Sequence, residues 1–161
     1  MATLPEPVER VARVLRDSGT EGRVEEFLMD TPTAEDAARA AGATLEQIVK
    51  SLVFSCDGHY VLALVPGDRR ADAKRVAAAA GAKKARVASA QQVVEATGFE
   101  PGAVAPFPLR NVDAVLVDRR LLVQPEVWVG GGSHRHLVQI APGDLVRLTE
   151  ARAADLVEYD T

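Results

Sequence analysis

The chain has 161 residues, 47% hydrophobic and 26% charged, enough for one domain with its own core and too few for two, so a single domain over 1–161 is expected. No apolar run reaches the roughly 20 residues of a bilayer span. Met1–Pro7 lacks the basic start and apolar core of a signal peptide, and the one cysteine, Cys56, excludes an internal disulfide or a cysteine zinc cluster. A cytoplasmic protein with no membrane partner is the expectation. The net charge of −4 argues against a general coat for nucleic acid. A local basic face is still available, because Arg69, Arg70, Lys74, Arg75, Lys83, Lys84 and Arg86 are opposed within their span only by Asp72. With 4% aromatic residues, a broad aromatic platform for bases is not expected.

In chain order, Val8, Val11, Ala12, Val14 and Leu15 have helical spacing, and Ser18-Gly19 ends that helix. Arg23 to Leu28 reads as a short strand. Thr33 caps a second helix, with Asp36 at its N3 position, and Gly42 closes it. Thr44 starts a short helix through Val49. Ser51–Cys56 and Tyr60–Val65 are β-rich runs joined by Asp57-Gly58-His59, a strong hairpin signal. Asp72–Ala80 is a helix, Ala85–Ala88 a short strand, and Ser89 caps a helix through Ala96. Gly98–Leu109, rich in proline and glycine, is a loop. Strands follow at Val112–Val117 and Val127–Val129, then a turn or backbone cradle at Gly130-Gly131-Gly132, then the strand Leu137–Ile140. Pro142-Gly143-Asp144 opens a helix through Leu148, and the last dozen residues read as a helical tail. Strands that form hairpins mixed with strands separated by helices imply an α+β domain, a curved mixed sheet surrounded by helices.

Several catalytic motifs are missing: a G-x-S-x-G elbow, a phosphate-binding loop ending in Gly-Lys-Ser/Thr, and H-E-x-x-H. Lys50 attracts attention instead, because an amine at the mouth of an apolar strand is costly unless it meets a partner or a substrate. Cys56, within an apolar strand, reads as a small buried hydrophobe. His134 and His136 would share a face on a strand, but no nearby carboxylate completes a site, so neither metal nor cofactor is expected. Gly130–Ser133 is either an anion nest or a flexible turn. Gly102–Phe107, long and apolar, is either packed beneath the domain or lines a pocket.

In order and spacing, these pieces resemble the YbaK/ProX family, the free-standing relatives of the editing domain in bacterial prolyl-tRNA synthetases. The resemblance runs from about Val8 to Leu156. It rests on Thr31–Ala38, Gln47–Phe54, Gly67-Asp68, Gly98–Phe107, Asp118, Leu121-Leu122, Val127-Trp128, the glycine run and Pro142–Leu145. It implies a trans-editing deacylase that hydrolyses the ester of mischarged tRNA, since binding alone discriminates a methylene by only about 10–200-fold. Lys50 would be the essential lysine, a fixed charge on the tRNA end or aminoacyl carbonyl. Gly102 and Pro106 would begin and end the Gly-x-x-x-Pro loop that presents backbone amides, with Val104 and Ala105 inside it and Val104 and Phe27 as pocket walls. Gly131, Gly132 and Ser133 would line the opposite side, with His134 beside the substrate amine or terminal adenosine. Arg70, Lys74, Arg75, Lys83 and Lys84 would contact the acceptor stem.

Many relatives have Gly-Gly-Val-Ser-Pro-Phe-Gly where this chain has Gly102-Ala103-Val104-Ala105-Pro106-Phe107-Pro108, and Gly130 stands where cysteine-clearing members carry serine. Both departures favour a small aminoacyl group such as alanine or serine, on tRNA-Pro. The expected partners are aminoacyl-tRNA and a synthetase, with the protein itself a monomer. The altered loop also leaves open a non-catalytic module of the same fold that holds tRNA, a nucleotide or a synthetase.

Overall fold

In the computed structural model, which describes residues 3–159, the stripe Val8, Val11, Ala12 and Leu15 is buried along α1 (Glu6–Ser18). β1 (Arg23–Glu26) leads to α2 (Ala34–Ala41), where the Thr33 hydroxyl accepts from the Asp36 amide at 3.1 Å. A 3₁₀ turn at Leu45–Gln47 precedes β2 (Val49–Cys56) and β3 (His59–Pro66). They pair antiparallel across Asp57-Gly58, whose φ values of 52° and 89° make the predicted tight turn. Then come α3 (Ala73–Ala80), β4 (Ala85–Val87) and α4 (Ala90–Thr97). Ser89 caps α4 as predicted, and Asp72, expected as the first residue of its helix, stands just before α3 as the cap. After the Gly98–Leu109 loop the chain forms β5 (Ala114–Asp118), a 3₁₀ turn at Arg119–Val123, β6 (Val127–Ser133), β7 (His136–Ile140), α5 (Pro142–Thr149) and β8 (Arg152–Ala154).

The architecture is α+β with mixed strand pairing, and the strands divide between two sheets. One is antiparallel, in the order β1-β7-β6. The other runs β4-β2-β3-β5-β8, with β3-β5 and β5-β8 parallel. They abut at a bridge between Ile48 and Trp128. The largest core fills the space between the sheets (Val53, Leu62, Leu64, Val117, Val129, Val138), closed by Val11 and Leu15 of α1 and Phe107 of the loop. A second core lies between the other face of the larger sheet and α3. A third, smaller one packs Ala37 and Ala38 of α2 on Ile48, Trp128 and Leu137.

Three local expectations are corrected. Val49 opens β2 instead of ending a helix. The tail is not helical: β8 pairs in parallel with β5, and the Asp118 carboxylate accepts from the Leu156 amide at 2.8 Å and the Arg120 amide at 3.0 Å. These tertiary bonds, with Leu156 and Val157 buried, outweigh the helix propensity of an alanine-rich segment. Finally, Gly130-Gly131-Gly132 lies within β6, and the turn is made by His134-Arg135. Glycine is required there because three backbones crowd the strand. A Cβ at Gly130 would lie 2.0 Å from the Val104 carbonyl oxygen, at Gly131 2.7 Å from that of His136, and at Gly132 2.8 Å from that of Pro7.

Candidate active site

Where the two sheets meet, a cleft of about 280 Å³ opens, lined by Thr31–Ala34 and Ala37 before and within α2, Ile48 and the first residues of β2 to Leu52, Gly102 and Val104 of the loop, and Trp128, Gly130 and Leu137 of the smaller sheet. Its walls are apolar and hydroxylic, and Lys50 is the only charged residue among them. The Lys50 ammonium is half-buried and donates to the Arg69 carbonyl. Burial pushes its pKa down, Glu35 and Asp68 pull it back toward the charged form, and Arg70 adds a smaller downward push. The predicted lysine is thus a poorly hydrated cation at the wall of a largely apolar cleft, an arrangement suited to negative charge developing on a bound substrate.

The other predicted residues divide. Gly102 and Val104 line the cleft with Lys50, whereas Ala105 is sealed in the core and Pro106 borders a separate groove near Val14 and Leu148. Gly131, Gly132 and Ser133 do not border the cleft, and Gly130 does. His134, exposed on the turn, lays its ring against Gly102: a Cβ at Gly102 would be 3.0 Å from His134 Cε1. Phe27 meets the Trp128 ring edge-on, with centroids 6.1 Å apart, and so supports the cleft from behind.

Ser133, His136 and Glu26 form a row that invites a triad reading. Ser133 Oγ is 2.6 Å from His136 Nδ1, and His136 Nε2 lies 3.2 Å from Glu26 without hydrogen-bond alignment. The serine oxygen also accepts from the Arg135 amide at 3.0 Å. None of the three borders the cleft, and their bonds brace the hairpin turn. Cys56 is buried, and its thiol pKa is raised by burial and then by Asp57, which leaves little thiolate. Among the described residues, no three His, Cys, Asp or Glu side chains gather in a metal-holding group, and no helix is long and apolar enough to cross a membrane.

The basic residues form a track instead of one cluster. Arg70 lies close enough to Lys50 to bear on its charge. Lys74 is exposed in the first turn of α3, while Arg75 is engaged, 3.8 Å over the Tyr159 ring and 3.7 Å from Asp72. Lys83 and Lys84 sit at the far end of β2, where their amides donate to the Asp57 carboxylate. At about 3.3 Å per residue, β2 separates that end from Lys50 by roughly 20 Å.

Thr31, Thr33, Ala34, Ala37, Ile48, Ser51, Trp128 and Leu137 join the cleft without having been singled out as site residues. Most lie inside or beside the sequence runs that carried the family resemblance, which was the one available signal. Trp128 and Leu137 become neighbours of Lys50 only through the pairing of Ile48 with Trp128.

Comparison with known proteins bears on this site. The profile of the family described as "Aminoacyl-tRNA editing domain" matches residues 29–148. The uncharacterized protein YwhH of Bacillus subtilis is 36% identical over 126 residues, 78% of this chain and 80% of that one. A proline–tRNA ligase of Maridesulfovibrio salexigens is 32% identical over 101 residues, which is 63% of this chain but only 17% of the ligase. Among solved structures, one assigned provisionally as a trans-editing enzyme for prolyl-tRNA synthetase superimposes with a TM-score of 0.90 at 38% identity, covering 98% of this chain and 100% of the other.

Proposed function

Because the chain belongs to the aminoacyl-tRNA editing domain family, we propose that it is a trans-editing deacylase, hydrolysing the ester of a mischarged tRNA with Lys50 at the reacting centre. The observation that carries this reading is the cleft itself, apolar and hydroxylic with Lys50 as its one charged group. Water adds to the aminoacyl carbonyl carbon, and the carbonyl oxygen becomes an oxyanion. The bond to the terminal ribose oxygen then breaks, and that oxygen takes the proton, giving free amino acid and uncharged tRNA. An aminoacyl ester is already reactive, so orientation and charge stabilisation suffice without a triad. Lys50 stabilises the oxyanion or holds the tRNA end, while Gly102 and Val104 bring loop backbone to the same space.

The acyl group is small and uncharged, alanine or serine. Ala34, Ala37, Gly102 and Gly130 keep the walls close, and no acidic or second basic residue lines the cleft to pair with a charged side chain. The acceptor stem follows the track from Arg70 past Lys74 to Lys83 and Lys84. A cytoplasmic location accords with this substrate.

The direct test is a panel of alanyl, seryl and cysteinyl esters on tRNA-Pro, then on their cognate tRNAs, incubated with the protein and with Lys50→Ala. Lysine-dependent loss of one small aminoacyl ester is expected. Stability of every ester would remove the deacylase and favour a binding module.

A further inference from the structure

We propose that Leu28 and Met29 form a seat for the terminal purine base of the tRNA acceptor end, at the rim of the cleft. This rests on the ester-hydrolase reading of the cleft. Leu28 is 94% exposed and Met29 74%, yet the segment that carries them is held at both ends. The Phe27 amide donates to the Arg135 carbonyl at 2.7 Å, and the Thr31 amide and hydroxyl both donate to the His134 carbonyl, at 2.6 and 3.0 Å. The Asp30 carboxylate accepts from Arg135 Nε at 3.0 Å. A backbone fixed in this way holds two large apolar side chains next to each other in water, a few residues from the cleft wall.

Position and charge identify the occupant. Thr31 and Pro32, two and three residues after Met29, line the cleft, and Phe27 at the other end leans on Trp128 in its wall. An ester held beside Lys50 places the terminal ribose at the cleft mouth, with its base one glycosidic bond away and its phosphate on the other side of the sugar. Lys50 and Arg70 offer that phosphate positive charge. Leu28 and Met29 offer none, but present a flat-faced base with aliphatic surface and a polarizable thioether. The base therefore goes to the apolar rim and the phosphate to the basic one.

Trp128 is the only tryptophan, so its fluorescence can follow binding of the trinucleotide CCA to the full chain. Replacing both residues by serine (Leu28→Ser with Met29→Ser) changes only exposed side chains and should leave the fold intact. The affinity for CCA should fall about tenfold, as expected when a base loses the apolar surface it covers. CCA with an abasic terminal sugar should bind wild type and variant alike. KM for mischarged tRNA should rise by a similar factor, and much less for the ethyl ester of the same amino acid.

An unchanged CCA affinity in the variant, or an equal loss with the abasic trinucleotide, would overturn the seat and assign the patch to a protein partner. Base-dependent CCA binding in a protein that hydrolyses no ester would support the seat and overturn the deacylase reading. Turnover of mischarged tRNA indifferent to both substitutions would do the reverse.

Discussion

At Lys50, burial acts against the charge and the carboxylates of Glu35 and Asp68 act for it. The folded-state pKa lies below the ordinary value of 10.5. Between those two values the unfolded chain binds more protons, so stability rises with pH; below the folded value the half-buried charge subtracts from stability. Lys50→Met should accordingly be at least as stable as the parent in neutral urea melts, with the gap narrowing as pH approaches 10.5. Its deacylation rate should fall by about a hundredfold or more, the usual loss when a preorganised electrostatic contact is removed. Gly130 works by the opposite means, since its lack of a side chain is what lets the Val104 carbonyl reach β6. Gly130→Ser must push the Gly102–Pro106 backbone away. That change should cost about 1–3 kcal/mol of stability, the range for overpacking, and lower kcat/KM toward the small aminoacyl ester. A variant with the parent's melting temperature and turnover would show that the loop is not seated on this glycine.

Among the elements, β8 and the segment after it depend on one buried carboxylate. Asp118 is 0% exposed and takes amides from Leu156 and from the turn at Arg120, while the Leu156 carbonyl receives the Asp72 amide at 2.8 Å. Asp118→Ala leaves the buried Leu156 amide without that acceptor, at a cost of about 1–3 kcal/mol. Hydrogen exchange should speed up first at residues 152–158 while β2 and β3 stay protected. Uniform acceleration throughout the chain would mean that the segment does not open on its own. The cleft contains no residue from this segment, so turnover should fall less than stability does.

Across the whole molecule, the cleft exists because two sheets meet at Ile48 and Trp128, and the basic track runs from that seam along α3 to the β2–β3 hairpin. Lys74, Lys83 and Lys84 are exposed along it. Their replacement by glutamate should raise KM for tRNA, and should reduce the dependence of log affinity on log salt by about 2–3, at roughly 0.7–0.9 per lost phosphate contact. Unchanged turnover at low tRNA concentration would remove the track as a tRNA contact. Arg75 is a poorer probe, because its stacking on Tyr159 and its pairing with Asp72 make it part of the packing.

Local chemistry alone determined much of this protein. Helices begin at Thr33, Asp72 and Ser89 and a tight turn forms at Asp57-Gly58, because capping hydroxyls, carboxylates and left-handed conformations act within a few residues. Lys50 was legible for a related reason: a cation at the start of an apolar strand conflicts with its neighbours wherever the strand lies. Only the tertiary structure decided the path of the glycine run and the fate of the tail. Both depend on backbones distant in sequence, with Val104, His136 and Pro7 crowding β6, and Asp118 and β5 capturing residues 152–157. The same holds for the cleft walls: Trp128, Leu137 and Lys50 are brought together by sheet pairing and Val104 by its approach to Gly130, long-range conditions that no window of sequence contains.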